Sequence, residues 1–315
     1  MTSYDACGLL VGHATDADGA TGCTVVRGVH GPFRAAVHVV GRATGTRELA
    51  LLDPGQLVDT VDAILLAGGS AYGLDAAAGV MRWMEERGRG FPVGGGVVPI
   101  VPAAVVFDLA PLGRFDARPT PGHGHSACEA AVSSPSEGSI GAGTGATVGK
   151  VAGAAHSMKG GCGIAGADDG SVVVRALAVV NAFGDVRDES GRIVAGARNE
   201  TGGWLDTAAY VARGAGQASR FDELAGRNTT LCVVSTNAAL DRVQLASLAR
   251  AASAALFRRI TPVGTPYDGD VVFATAPCAD GIAASPIQVE ALAVRALELA
   301  IERAVLTSTV GEILS

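Results

Sequence analysis

Two polar clusters stand immediately ahead of apolar, strand-like runs in this sequence. Asn228-Thr229-Thr230 precedes Leu231 to Val234, and Tyr267-Asp268-Gly269-Asp270 precedes Val271 to Ala276. A hydroxyl is a poor nucleophile at neutral pH without a neighbouring base, and a free α-amino group with a pKa of about 8 can be that base. Thr229 supplies both groups once the Asn228-Thr229 bond is cut. Asp268 and Asp270, two apart, fall on one side of an extended segment and can hold an ammonium and a hydroxyl in place. Each cluster also has a plain structural reading. Asn closes turns, threonine favours strands, and Asp-Gly makes solvated turns.

Other chemistries fit the spacing less well. Gly141 to Lys150, GAGTGATVGK, resembles a phosphate loop, but Thr144 stands where the first glycine is required and Val151 replaces the magnesium-binding hydroxyl. Gly161 to Gly166, GCGIAG, matches a dinucleotide fingerprint without the strand before it and helix after it that such a site needs. His123 and His125 form a pair with no third metal ligand nearby, and a turn opening a helix near Ser126 explains them equally well. No GxSxG elbow occurs, and GGSAYG, Gly68 to Gly73, resembles one only loosely. Neither a cofactor nor a metal is expected.

The elements that must position Thr229 are legible as alternating periods. Ala63 to Ala67 reads as a buried strand, followed by a glycine turn and a helix from about Leu74. Val172 to Val180 reads as a second strand, stopped at Asn181. From Thr229 onward the predicted order is strand, helix, strand, helix. The first helix is capped by Asp241 and carries an apolar stripe of Val243, Leu245, Leu248, Ala252 and Leu256; the second opens at Pro286. Gly184 to Asp222, rich in Gly, Arg, Asp and Asn, is predicted to be an exposed loop.

Composition sets the frame. The 315 residues are 48% hydrophobic but only 4% aromatic, with 44 glycines, so the core must be small aliphatic side chains packed closely in α/β layers, and a single domain is expected. A net charge of −7 argues against nucleic-acid or anionic-membrane partners. The first twenty residues lack the basic start and apolar core of a secretory signal, and the longest apolar run is broken by Pro99 and Pro102, so a cytoplasmic location is expected. The six cysteines are scattered singly; Cys232 reads as core packing.

In their order along the chain, LLAGGSAYGLDAAAGV, VPIVPAAVVFDL, GAGTGATVGK, KGGCGIA, AVVNAFGDV, NTTLCVVSTNA and YDGDVVFA resemble the P1 (S58) peptidases. That family includes the L-aminopeptidase/D-esterases, the β-aminopeptidases and the nylon-oligomer endohydrolases. The resemblance spans about Gly8 to Ile301. It implies a four-layer αββα sandwich of the DmpA/ArgJ type and self-cleavage between Asn228 and Thr229, giving chains of residues 1–228 and 229–315. It implies further that Thr229 attacks an amide, that Lys150 tunes its protonation, and that Asn181 offers a side-chain N–H to the oxyanion. Asp268 and Asp270 match the acidic pair of the nylon-oligomer enzymes. Phe107 stands where some relatives carry a tyrosine, and Tyr72 is a candidate source of an accessory hydroxyl. The substrate class implied is small peptides, β-peptides or amide oligomers, and the assembly implied is a homotetramer of αβ units. An acyltransferase of the ornithine acetyltransferase type, which shares the fold and the self-processing, is the alternative, and an uncut ligand-binding relative is a third reading.

Overall fold

A computed structural model of the chain describes residues 2–214 and 227–308. Two five-stranded sheets form its centre. The first runs, edge to edge, through Leu9–Asp16, Thr21–Gly28, Ala63–Ala67, Ala103–Val105 and Gly45–Arg47. The second runs through Gly161–Asp168, Val173–Asn181, Thr229–Thr236, Val271–Ala276 and Arg34–Val39. Arg34–Val39 lies between first-sheet strands in sequence but pairs in the second sheet, so the chain crosses the sandwich there.

Strand periodicity builds the layers, because successive side chains point to opposite faces. Leu231 and Val233 meet Leu177, Val179, Val271 and Phe273 in the core between the sheets, where Val26, Ile64 and Leu66 of the first sheet close over them. Their alternates Cys232 and Val234, with Val174, Ala176, Ala178, Val272 and Ala274, face helices Arg242–Ala252 and Pro286–Leu306. On the far side, Val25, Ala63, Leu65 and Ala67 pack under helices Ala76–Glu85 and Pro121–Glu129. The result is helix, sheet, sheet, helix. Alanine and glycine permit the close approach: a Cβ on Gly163 would lie 2.1 Å from the Ala300 carbonyl of the C-terminal helix.

The expected strand at Ala63–Ala67 is present, and a 3-10 turn, Ser70–Asp75, leads into the helix expected after it. The second expected strand is Val173–Asn181, so Asn181 is its last residue rather than the first one beyond it. Asp241 caps its helix by accepting from the Gln244 amide at 2.8 Å, with the Gln244 side chain returning the bond. That helix breaks at Ser253 into Arg242–Ala252 and Ala254–Arg259, and Val243 of the expected stripe is 64% exposed. Residues two apart on a helix point to nearly opposite sides, so Val243 lies away from the buried face formed by Leu245, Leu248, Ala249 and Ala252.

The segment from Gly184 is more ordered than its composition indicates. It carries strands Asp185–Arg187 and Ile193–Ala195 and helix Thr207–Ala212, while residues 215–222 lie outside the described part. The organiser is Asp185, fully buried, whose carboxylate accepts from the amides of Ala197 (2.8 Å) and Thr207 (2.6 Å) and from the Thr207 hydroxyl (2.7 Å). A buried carboxylate with three donors fixes a loop that local propensity leaves open. Among the described residues no helix is long and apolar enough to cross a membrane.

Candidate active site

The central strands of the second sheet bring the candidate residues together. Thr229 opens its strand and pairs with Asn181, the last residue of the antiparallel neighbour. On its other side the parallel strand starts at Val271, and Asn228 bridges to Asp268 just before it. Three segments, around Asn181, Thr229 and Asp268, thus converge because one register aligns three strand ends. By alternation Thr229 shares the inter-sheet face with Leu231 and Val233, at the rim of the sandwich.

Asn228 and Thr229 are buried, at 0% and 3% exposure. The Thr229 hydroxyl donates to the carbonyl oxygen of Asn228 at 2.5 Å, and the Gly269 amide donates to the same oxygen at 2.8 Å. Asp268 and Asp270 are both 1% exposed, so the reading of Tyr267–Asp270 as a solvated turn does not hold. Asp270 accepts from the Thr230 amide (2.6 Å) and the Gly264 amide (3.2 Å); Asp268 accepts from the Thr265 amide (2.9 Å) and hydroxyl (2.6 Å). Burial pushes both carboxyls above the usual carboxylate range, and for Asp270 the charge of Asp268 adds to it.

Lys150 enters from the turn after strand Thr147–Val148. Its amide and that of Gly149 donate to the carbonyls of Phe183 and Gly184, both at 3.1 Å. Gly149 has φ +70°, and a Cβ there would lie 2.0 Å from the Ala197 amide nitrogen, so this turn demands glycine. The Lys150 ammonium donates to the Asn181 Oδ1 (2.7 Å), the Asn181 carbonyl (3.0 Å) and the Arg227 carbonyl (3.1 Å). Burial pulls its pKa down to about 7, against the opposing charges of Asp268, Asp108 and Asp270. Three N–H groups meeting three acceptors also favour the cation. Asn181 accepts from Lys150 and from the Thr147 amide (3.0 Å) and donates its side-chain N–H groups to the carbonyls of Phe107 and Arg227, each at 3.1 Å. In the uncut chain the Asn181 amide and the Lys150 ammonium therefore both rest on the carbonyl of Arg227, one residue before the candidate scissile carbonyl.

A cavity of about 240 Å³ opens beside Lys150 and Arg227, walled by Ala110, Pro111, Gly153 and Ala154. Tyr72 is not part of this cluster. It is 54% exposed, its ring stacks under the Arg118 guanidinium at 3.5 Å and meets the edge of Phe115, and none of the hydrogen bonds described around Thr229 involves it.

Sequence reasoning missed three contributors. Gly269 supplies an amide to the Asn228 carbonyl, and its own Cβ position would lie 2.7 Å from the Thr229 hydroxyl oxygen. Asp108, fully buried, accepts from Thr21 (2.7 Å) and the Gly69 amide (2.6 Å), and burial raises its pKa to about 6. Lys159 donates to the carbonyls of Gly143, Ala146 and Gly160, and burial lowers its pKa to about 8. Asp108 is a counter-charge to both Lys150 and Lys159. The only sequence signal for either was an ionisable residue inside an otherwise apolar or glycine-rich stretch.

The remaining motifs resolve as structure. GCGIAG lies within strand Gly161–Asp168. His123 and His125 lie inside helix Pro121–Glu129, which begins earlier than expected because Pro121 sets its first turn. Two residues apart on a helix they face different ways: His123 caps Thr120, and His125 pairs with Glu86 at 3.0 Å. Among the described residues no group of three or more His, Cys, Asp or Glu is placed to hold a metal ion.

Solved structures with this architecture define the class. The L-aminopeptidase D-Ala-esterase/amidase of Ochrobactrum anthropi, described as a variant of the N-terminal-nucleophile hydrolase fold, superposes with a TM-score of 0.69 at 20% identity, covering 96% of this chain and 84% of that one. A Burkholderia β-aminopeptidase superposes at 0.68 and 21% identity, covering 96% and 85%. The fold is thus the mixed α/β sandwich of N-terminal-nucleophile hydrolases. Residues 4–311 match peptidase family S58, and the chain belongs to that family. It is a hydrolase of amide or peptide bonds. An uncharacterized aminopeptidase of Mycobacterium tuberculosis is 42% identical over 293 residues, 86% of this chain and 80% of the relative. A 6-aminohexanoate-oligomer endohydrolase of Agromyces is 32% identical over 282 residues, 87% of this chain and 74% of the relative.

Proposed function

We propose that the chain cuts itself between Asn228 and Thr229 and that the freed Thr229 is the nucleophile of an amide hydrolase. The observation that carries this reading is the Thr229 hydroxyl, buried 2.5 Å from the Asn228 carbonyl oxygen within a cluster of two carboxyls and a lysine. After the cut, residues 1–228 and 229–315 remain one layered domain, because strand Thr229–Thr236 lies between Val173–Asn181 of the large fragment and Val271–Ala276 of its own.

In the mature site the Thr229 amine takes the hydroxyl proton as the oxygen attacks a substrate carbonyl. Asp268 and Asp270 hold the ammonium that results. The Asn181 side-chain N–H and the Lys150 ammonium, once released from the Arg227 carbonyl, face the developing oxyanion; one such donor is typically worth roughly 10²–10³ in kcat. The proton then passes from the Thr229 amine to the leaving amine, and water hydrolyses the ester. With Phe107 where some relatives carry a tyrosine, no phenol hydroxyl is offered at that place, and Asn181 and Lys150 are the side-chain donors here.

The cavity beside Lys150 is small and mostly aliphatic, which supports short, slender substrates: small peptides, β-peptides or amide oligomers such as those of 6-aminohexanoate. We further propose a cytoplasmic homotetramer of αβ units. The test is N-terminal sequencing of the small fragment together with hydrolysis assays on aminoacyl p-nitroanilides, β-dipeptides and 6-aminohexanoate oligomers. An N-terminus other than Thr229, or an uncut chain with full amidase activity, refutes the assignment.

A further inference from the structure

Self-cleavage and substrate hydrolysis each need a donor to the oxygen on which negative charge develops. In the uncut chain the donors proposed for hydrolysis are engaged elsewhere. The Asn181 side-chain N–H and the Lys150 ammonium both lie 3.1 Å from the carbonyl oxygen of Arg227. The Asn228 carbonyl is instead met by the backbone amide of Gly269 at 2.8 Å. We infer that the Gly269 amide is the oxyanion donor of the self-cleavage step, so that cutting and turnover use different donors within one site. This inference rests on the cleavage junction proposed above.

The local geometry is built for this role. Asn228 and Asp268 bridge as parallel neighbours, which turns the next amide, that of Gly269, toward the Asn228 oxygen. The turn is held from behind by the Arg42 and Ala43 amides, which donate to the Asp268 carbonyl at 2.7 and 2.9 Å. A side chain at 269 is not accommodated: its Cβ would lie 2.7 Å from both the Thr229 hydroxyl oxygen and the Ala43 carbonyl oxygen. The absent side chain therefore leaves room for the nucleophile, while the backbone supplies the donor.

The step balances as follows. The Thr229 Oγ1 forms a bond to the Asn228 carbonyl carbon, and the carbonyl electron pair moves onto the oxygen facing the Gly269 N–H. As the pair returns, the C–N bond to Thr229 breaks and the proton lost by Oγ1 ends on that nitrogen. Water then hydrolyses the Asn228 ester, leaving a carboxylate on Asn228 and a free hydroxyl and amine on Thr229. With the Asn228 carboxylate no longer tethered, the Arg227 carbonyl can leave the Asn181 and Lys150 donors to substrate.

The test removes the Gly269 N–H; the ester also weakens the Asp268 carbonyl as an acceptor for the Arg42 and Ala43 amides, an effect the second chain controls for. Full-length chain is made by cell-free translation with glycolic acid at position 269, which replaces the amide by an ester, and the rate of cutting at Asn228-Thr229 is followed by intact mass. A second chain carries lactic acid at position 43, which deletes a backbone bond of the same turn that does not touch Asn228. The expected result is slowing by roughly 10²–10³ for the 269 ester, as for other lost oxyanion donors, and by less than about threefold for the 43 ester. Undiminished cutting of the 269 ester, or equal slowing of both, overturns the inference while leaving the cleavage junction intact. A natural chain that does not cut at Asn228-Thr229 overturns the junction itself.

Discussion

Lys150→Met tests whether burial governs the charge at the centre of the site. The Lys150 pKa is lowered from 10.5 to about 7 by burial. The unfolded chain holds this proton up to about 10.5 and the folded chain only to about 7, so between those values the unfolded state binds more protons and stability rises with pH. At roughly 1.4 kcal/mol per pH unit, Lys150 destabilises the fold at pH 7 by about 4 kcal/mol relative to high pH, and most of that is recovered by pH 10. Lys150→Met lacks this term. The stability of the natural lysine relative to methionine should therefore increase by roughly 3 to 4 kcal/mol from pH 7 to pH 10. Removing the ammonium also withdraws the charge that lowers the Asp268 pKa, which works in the same direction. The assay is urea denaturation of both chains in a Thr229→Ala background, so that a single uncut chain unfolds. The opposing force is the set of three acceptors around the ammonium, at 2.7, 3.0 and 3.1 Å. A stability difference that is the same at both pH values would show that these bonds hold the proton as firmly as burial expels it, and would refute the reasoning.

Purified protein should run as fragments of roughly 23 and 9 kDa, the shares of 31.4 kDa carried by residues 1–228 and 229–315. Thr229→Ala should stay at full length and lose all amidase activity, whereas Thr229→Ser should still be cut, as mass spectrometry of each chain will read. Asp108→Asn should remove a pH-dependent penalty. The Asp108 pKa is raised from 3.8 to about 6, so the natural chain is favoured below the lower value and loses about 3 kcal/mol as pH rises through the upper one. Denaturation at pH 4 and pH 7 measures that loss, which the asparagine chain should not show. Gly163→Ala should destabilise by about 1–3 kcal/mol, since its Cβ would lie 2.1 Å from the Ala300 carbonyl and 2.3 Å from the Ala304 amide nitrogen. Its cut site should be unaffected, as gel analysis of the two fragments would show.

Much of the second sheet was legible because short continuous apolar runs such as Leu231 to Val234 and Val271 to Ala276, bounded by turn residues, suit strands buried on both faces, and Asp241 and Pro286 mark helix starts by local chemistry. Where local chemistry was ambiguous, the sequence reading went astray. Gly184 onward looked like an exposed loop because its organiser, Asp185, acts through partners at Ala197 and Thr207. Val243 is read into the helical stripe, yet it stands two residues before Leu245, so it points away from the buried face and stays exposed.

The candidate site divides in the same way. Residue types and spacing raised Thr229 as a candidate nucleophile with Asp268 and Asp270 beside it, each against a plain structural reading, and the family resemblance decided between the two. Lys150 and Asn181 came only from the resemblance, since a lone lysine after a glycine and an asparagine at a strand end carry no signal by themselves. Tertiary structure alone decided that the two carboxyls are buried rather than solvated, because that depends on the sheet register that seats Asn228 against Asp268. It alone removed Tyr72 to the surface under Arg118 and brought in Asp108 and Lys159 as interior charges. The direction of the Gly269 amide was likewise invisible in the sequence. A residue type states which groups are available, whereas only the packed backbone states which oxygen each one faces.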